Sequence, residues 1–408
     1  MTNFLTTLTT LQLEKLHSGK VRDSFRVSET ERLIFVSDRI SAFDRVLKTP
    51  VPMKGAVLNK ISNYWFTETR HIVQNHFLRE VDPNISVVRE VTPIRVEMVV
   101  RGYLSGSMWR YYQQGKRKFS GITIPDGMQK NEKFPTPLVT PTTKEDSDRE
   151  ITPEDIVLEG LATAAHYRMM QETALALYSF GAEQLAAKGL ILVDTKYEFG
   201  LLNDEVILID EIHTPDASRF WRTVDYETSP STVEQIDKEF VRLWLIANKD
   251  GEGNYPESLP QDIIDETTSR YLQIYNLVTD AVLDEAIAEH ISERVLSNLV
   301  SANLCLRHSV VLLNDGSLEQ GLLNEFLGTK QNNTLYCPIV KNITSMHELD
   351  IFLKQCKSAV ESLLIVLPGA AAARHFSSVA ALRDFPGFVL GDMQFQRLQE
   401  EIELFLTD

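Results

Sequence analysis

Between Val193 and Gly200 the chain reads VDTKYEFG, with Asp194, Lys196 and Glu198 at alternate positions. If the segment is a strand, its side chains alternate between faces. The three charged groups then share one face, and Val193, Thr195, Tyr197 and Phe199 share the other. The second face suits a core. The first sets two carboxylates around an ammonium, beside a partner segment, VILI, whose composition demands burial. Ionised groups are buried only when they are paired or bind an ion. Acids placed this way can hold Mg²⁺ through carboxylate oxygens together with bound phosphates. Facing residues of a hairpin point the same way. Asp210 therefore joins Lys196 and Glu198 only if the turn has an odd number of residues, such as 202–204 or 203–205. Beyond it, TPDASRF brings Asp216, Ser218 and Arg219 onto a turn suited to an anionic ligand. The bland alternative is an exposed charged hairpin, which leaves the apolar partner strand unexplained.

Three further segments carry chemistry. In SGKVRD at 18–23, Gly19 lets backbone N–H groups approach a phosphate, with Lys20 and Arg22 on one face to neutralise it. The segment is not a GxxxxGK[ST] loop, and taken alone it reads more readily as a plain turn with solvated charges. In VEMVVRGYLSGS at 96–107, Glu97, Val99 and Arg101 share a strand face, and Ser105, Gly106 and Ser107 offer hydroxyls and free backbone donors. An arginine fork there fits a carboxylate or phosphate. KEDSDRE at 144–150 is either a solvated charge run or a source of one more acid over the site. Together these segments ask for a nucleotide, Mg²⁺ and a further anion, the parts list of phosphoryl transfer, where positioning and electrostatics supply most of the catalysis.

The elements that must position these groups are legible in outline. Short β-prone runs fill 11–48, an amphipathic helix is predicted over 56–70, and the strand-rich stretch to Ser107 leads into a short helix stopped by Gly115. Residues 121–150, rich in Pro, Thr and Asp, read as a long functional or disordered connection. A long helix follows, with Thr152 as N-cap and Gly189 past its end. The hairpin comes next, then helices over PSTVEQIDKEFVRLWLIAN and from near Gln261. After about residue 285 three strand–helix alternations, SVVLLNDG, LYCPIVKNI and LLIVLPG, predict a small α/β domain.

Composition bounds the function. A net charge of -16 is the wrong sign for wrapping nucleic acid. The three cysteines, Cys305, Cys337 and Cys356, are odd in number and widely spaced, with no CxxC. That argues against a disulfide framework or a zinc site and for a reducing compartment. No signal-peptide pattern or membrane-length apolar run is read, so a cytoplasmic protein without membrane partners is expected.

In this order GKVRD, SDRISAFD, KGAVLNKISNYWF, VRGYLSGS, DTKYEFG and DEIHTPDASRFW resemble the SAICAR synthetase family, the phosphoribosylaminoimidazole-succinocarboxamide synthases of purine biosynthesis, over about residues 10 to 280. Residues 121–150 resemble the longer loop of the family's yeast-type branch. The resemblance implies ATP-dependent ligation of L-aspartate to the carboxylate of carboxyaminoimidazole ribonucleotide (CAIR), through an acyl phosphate, giving SAICAR, ADP and phosphate. It implies an α+β fold of two lobes, ATP-grasp- or kinase-like, with a β-rich nucleotide lobe over 1–95 and a substrate lobe over 96–284. By the same resemblance Gly19, Lys20 and Arg22 meet ATP phosphates, and Glu198 and Asp210 hold the Mg²⁺ of ATP. Glu97 and Asp194, with Asp148, lie at a metal near the CAIR carboxylate. Arg101, Ser105, Gly106, Ser107 and Arg219 take the CAIR phosphate or nearby anions. Lys196, with Asp216 and Ser218 near it, and Lys144, place substrate. Asp38 is an expected neighbour. Lys196, Asp194 and Arg219 are the residues expected to act on the reacting groups. Another small-molecule kinase and a non-catalytic nucleotide-binding regulator are the competing classes.

Residues 285–408 exceed what such a synthetase needs. TSMHELDIFLKQC, LLIVLPGAAAARHFSSVAAL and FPGFVLGD resemble, faintly, the strand–helix order of AIR carboxylase, with its phosphate loop and histidine motif not intact. An unrelated interaction or assembly domain, a candidate surface for homo-oligomers, is the first expectation, with a degenerate domain of the carboxylase kind, or an active one that would make the chain bifunctional, as the alternatives. His347 and His375 are read as ordinary structural or surface histidines.

Overall fold

In a computed structural model the described residues are 4–8, 13–145, 149–289 and 291–304, with four strand segments further along. The chain forms two compact units. The first takes in 17–24 and 28–289, and the second runs from 290 onward together with 7–16 and 25–27.

In the first unit the strands Glu31–Val36, Ile85–Arg89 and Phe77–Asp82 pair antiparallel. The helix Lys54–Glu68 begins where Asp38 accepts the Gly55 backbone N–H at 2.8 Å. Asp38 is thus a buried support for that helix start and does not line the cleft.

A second sheet carries the chemistry. Its order is Lys133–Thr143, Thr92–Tyr103, Leu190–Leu202, Glu205–Ile209, and Ser218–Arg222 pairs with the first half of Leu190–Leu202. Asp194 faces Arg101, Lys196 faces Val99 and Glu198 faces Glu97. The alternation predicted for both strands therefore falls on one common face. The opposite face, with Val96, Met98, Val100, Tyr197 and Phe199, joins the main core beside Leu177 and Tyr178 of the helix Ala164–Ala186 and Trp65. Each such side chain, fully buried, contributes roughly 1.5–3 kcal/mol, which offsets the cost of crowding charge on the other face.

Three expectations are corrected. Within the connection expected over 121–150, Lys133–Thr143 is not a loop but an eleven-residue strand. Pro135, Pro137 and Pro141 disguised it, and they are tolerated because this is the edge strand, with a bulge between Lys133 and Leu138. The single long helix is two, Pro153–Leu158 and Ala164–Ala186. Thr152 caps the first as predicted, Thr163 caps the second, and Gly160 at φ 69° makes the break. The helix expected from residue 230 starts only at Glu239. The strand Thr92–Tyr103 runs through position 95/96.

In the second unit the helix Ile291–Ser301 precedes four parallel strands ordered Ile339–Asn342, His308–Asn314, Ser362–Leu367 and Val389–Gly391. The three predicted strands are all present. The helices expected between them, the three cysteines, His347 and His375 lie outside the described residues. Among the described residues no helix is long and apolar enough to cross a membrane.

Candidate active site

The charged face of the second sheet floors a cleft of about 960 Å³ in the first unit, lined among others by Gly19, Lys20, Arg22, Glu97, Arg101, Lys196, Glu198 and Asp210. At one end Lys196 lies among acids. Its Nζ is 2.9 Å from Glu97 Oε1, 2.5 Å from Glu198 Oε1 and 3.7 Å from Asp210 Oδ2. Burial would lower its pKa, but Glu198, Asp210 and Glu97 outweigh that and hold the ammonium well above its usual value. Lys144 donates to the other oxygen of Glu198. Burial, and then Asp210, push the Glu198 carboxyl up. For Asp210 burial acts upward too, yet Arg22, Lys196 and Lys144 hold it well below the carboxylate range.

Asp210 reaches this cluster by a route other than the predicted one. The turn has two residues, Asn203 and Asp204, both at positive φ, and the register pairs Glu198 with Ile209. Asp210 falls one residue past the strand, and its own φ of 65° turns the carboxylate inward. There it accepts from Arg22 Nη1 at 2.8 Å, while Glu211 takes the other guanidinium nitrogen.

The glycine loop closes with Gly19 N–H on the Arg22 carbonyl at 2.7 Å. A Cβ at Gly19 would lie 2.9 Å from that oxygen, so the reversal leaves no room for a side chain. The two cations diverge. Arg22 points inward to the acids, and Lys20 pairs on the rim with Asp44 at 2.5 Å.

At the other end Arg219 donates to Asp194 at 2.6 Å, and Arg101 lies 3.7 Å from the same oxygen. Arg101 also donates to Thr140 at 2.8 Å. Asp194 is thus drawn to the arginines and away from the Glu198 cluster. Beside them the helix Gly106–Gln113 starts after Ser105, which is buried and does not line the cleft, whereas Ser107 does. Gly106 has φ 57°, and a Cβ there would lie 2.3 Å from Arg219 Nη2. Gly106→Ala should therefore cost about 1–2 kcal/mol for the left-handed backbone. It should also displace the guanidinium and raise the KM for a phosphorylated substrate roughly tenfold or more. Thermal melts and steady-state kinetics would show this, and an unchanged KM would place the substrate elsewhere.

Asp216 was expected near Lys196. Instead it accepts from Lys54 at 2.9 Å, from Lys238 at 3.3 Å and from the Tyr271 hydroxyl at 2.7 Å. Ser218 donates to Thr195 at 2.7 Å. Lys54, Arg110, Lys238, Glu239 and Arg242 were missed. The signal for the last three was IDKEFVR, in which Lys238, Glu239 and Arg242 are spaced to share a helix face.

Asp148 lies outside the described residues. Among the described residues no three acids, histidines or cysteines stand together as a ready metal cage. Lysines neutralise the acids instead. The donor set still fits Mg²⁺, which is held by one or two carboxylates plus substrate phosphates and seldom by an all-protein cage. Glu198 and Asp210 both reach the Lys196 ammonium at this end of the cleft.

Fold and cleft suit an enzyme class that works by fixing charge around a small ligand, with cations and carboxylates paired along the floor. A model of the SAICAR synthetase family matches residues 15–259. The phosphoribosylaminoimidazole-succinocarboxamide synthase of Legionella pneumophila is 41% identical over 307 residues, covering 72% of this chain and 98% of that one. The enzyme of the same name from Bacteroides thetaiotaomicron is 41% identical over 298 residues, 71% of this chain and 94% of that one. The SAICAR synthase from Saccharomyces cerevisiae, solved in complex with SAICAR, is 33% identical with a TM-score of 0.61, covering 68% of this chain and 99% of that one. The chain belongs to the SAICAR synthetase family.

Proposed function

We infer that the cleft joins L-aspartate to the carboxylate of CAIR at the expense of ATP, giving SAICAR, ADP and phosphate in purine biosynthesis. One observation carries the assignment of groups. Glu97 and Arg101 on one strand register against Glu198 and Asp194 on the next. Four residues of strand, roughly 13 Å, thus separate a carboxylate end from an arginine end. That is the scale of a nucleoside monophosphate.

At the arginine end Arg101, Arg219 and Ser107, with the start of the Gly106–Gln113 helix, are assigned to the CAIR phosphate. Arginine forks and helix N-termini both suit it. At the other end Lys20 and Arg22 with the glycine loop are assigned to ATP phosphates. Glu198 and Asp210 would hold Mg²⁺, whose charge offsets that of the phosphate oxygens. Glu97 borders the CAIR carboxylate, Asp194 stays with the arginines as their counter-ion, and Lys196, Lys144, Asp216 and Ser218 line the space where that carboxylate meets aspartate. A carboxylate is a poor electrophile. Attack of one of its oxygens on the γ-phosphorus of ATP releases ADP and leaves an acyl phosphate, and the aspartate amino group then attacks the acyl carbon, expelling phosphate and losing a proton. The row of cations holds the anionic groups in contact, and a closed cleft protects the acyl phosphate from water.

Residues 285–408 are assigned as an accessory unit with a surface for homo-oligomers. A cytoplasmic location accords with three widely spaced cysteines. Purified full-length protein with ATP, Mg²⁺ and CAIR should release ADP only when aspartate is present. Release without aspartate would sink the ligase and favour a kinase.

A further inference from the structure

Glu239 opens the helix Glu239–Ala247 and is buried, with its side chain only 7% exposed. Its carboxylate accepts from three arginines on three different elements. Arg219 Nη2 of the strand Ser218–Arg222 lies at 3.1 Å, Arg242 Nη1 of its own helix at 3.3 Å, and Arg110 Nη1 of the helix Gly106–Gln113 at 3.3 Å. All three arginines line the cleft, and Glu239 stands behind them, outside the lining. With Arg101 there are four guanidinium groups here. The carboxylates paired with them are Glu239 and Asp194. Four positive charges against two negative leave two positive, which matches a phosphate monoester dianion. Burial acts against ionisation of Glu239, but Arg219, Arg242 and Arg110 outweigh it and hold the carboxyl down to about 2. The anchor therefore stays charged across any assay range. Asp237, next to it, accepts the backbone N–H groups of Phe220 and Glu239 and is pushed up by burial to about 7.

We propose that Glu239 is a positioning residue, the shared buried counter-ion that fixes Arg110, Arg219 and Arg242 from three elements as one prearranged receptor for the phosphate of the nucleotide substrate. The proposal rests on the reading above, in which this end of the cleft receives the CAIR phosphate. Arginine side chains lose rotamer freedom when they grip a ligand. Anchored from behind, these have already lost it, and their surplus charge is aimed forward.

Glu239→Gln keeps the volume and one acceptor oxygen and removes the charge. Steady-state kinetics should show KM for CAIR raised about tenfold or more, with kcat and KM for ATP within about threefold. Competitive inhibition by inorganic phosphate should weaken in parallel. Glu239→Asp, which restores the charge one methylene short, should recover part of the loss. A KM for CAIR within about twofold of wild type overturns the proposal, as does an equal rise of both KM values, which marks a merely structural ion-pair network. If Glu239→Gln fails to fold, Arg110→Met on the exposed rim of the cluster should still raise KM for CAIR alone, and an unchanged KM overturns the idea. Absence of aspartate-dependent ADP release in wild type would instead remove the functional reading. Phosphate binding by calorimetry then decides Glu239 alone, with weakening in Glu239→Gln supporting it and equality overturning it.

Discussion

Lys196→Met is expected to lose turnover by roughly 10²–10³-fold and to remain folded by circular dichroism. Among the described residues the ammonium is the one group that pairs with Glu97, Glu198 and Asp210 together. Without it three carboxylates face one another with only Lys144 and Arg22 to balance them. Anionic substrates then meet a negative wall where wild type presents a neutralised one. Stability should fall by about 2–3 kcal/mol, less than the 3–5 kcal/mol of a fully buried broken pair, because Lys196 remains 26% exposed to the cleft. The loss should depend on pH. Glu198 has its folded pKa raised by burial and Asp210, so the folded state holds its proton to a higher pH than the unfolded chain does. That contribution is lost as pH rises above the usual carboxylate range. Removal of Lys196 pushes Glu198 further up, so the gap in melting temperature to wild type should widen as pH rises above the usual carboxylate range. Near-normal kcat in the variant would remove Lys196 from the reacting centre.

The chemistry-bearing face was legible in the sequence because period two is a local rule. Asp194, Lys196 and Glu198, like Glu97 and Arg101, needed only the alternation of one strand, and the observed register aligns the two sets. What depended on single backbone angles was not legible. Asp210 arrives through a φ of 65° after an even turn, a conformation that its residue type permits but does not announce. The Pro-rich edge strand was hidden for a related reason. Proline is excluded from central strands, and only the assembled sheet reveals that Lys133–Thr143 lies at the edge. The resemblance set Asp216 near Lys196, and tertiary packing gave it to Lys54, Lys238 and Tyr271. Glu239 acts through three arginines spread over 132 positions, Arg110 to Arg242, so no window along the chain contains the receptor it holds.

Asp210→Asn should lower turnover by a similar factor, roughly 10²–10³, for the opposite electrostatic reason. Lys196 and Arg22 then face the cleft with one carboxylate fewer, and one of the two acids proposed for Mg²⁺ becomes a weaker neutral donor. The Mg²⁺ concentration for half-maximal activity should rise, which separates this variant from a simple loss of substrate affinity. The fold should tolerate the change, since Asn adopts the left-handed region as readily as Asp and Arg22 keeps Glu211. Stability supplies an independent check with a definite sign. Arg22, Lys196 and Lys144, against burial, hold the Asp210 pKa below its ordinary 3.8. Its contribution is therefore present above that value and lost as pH falls through the depressed one. Wild type should melt above Asp210→Asn at pH 7, and the two curves should converge as the medium is acidified below the ordinary value. Convergence with an unchanged Mg²⁺ requirement would make Asp210 a structural counter-ion of Arg22. A rise in that requirement together with convergence assigns it both tasks, which is what its position one residue beyond the strand, between the glycine-loop arginine and Lys196, makes physically economical.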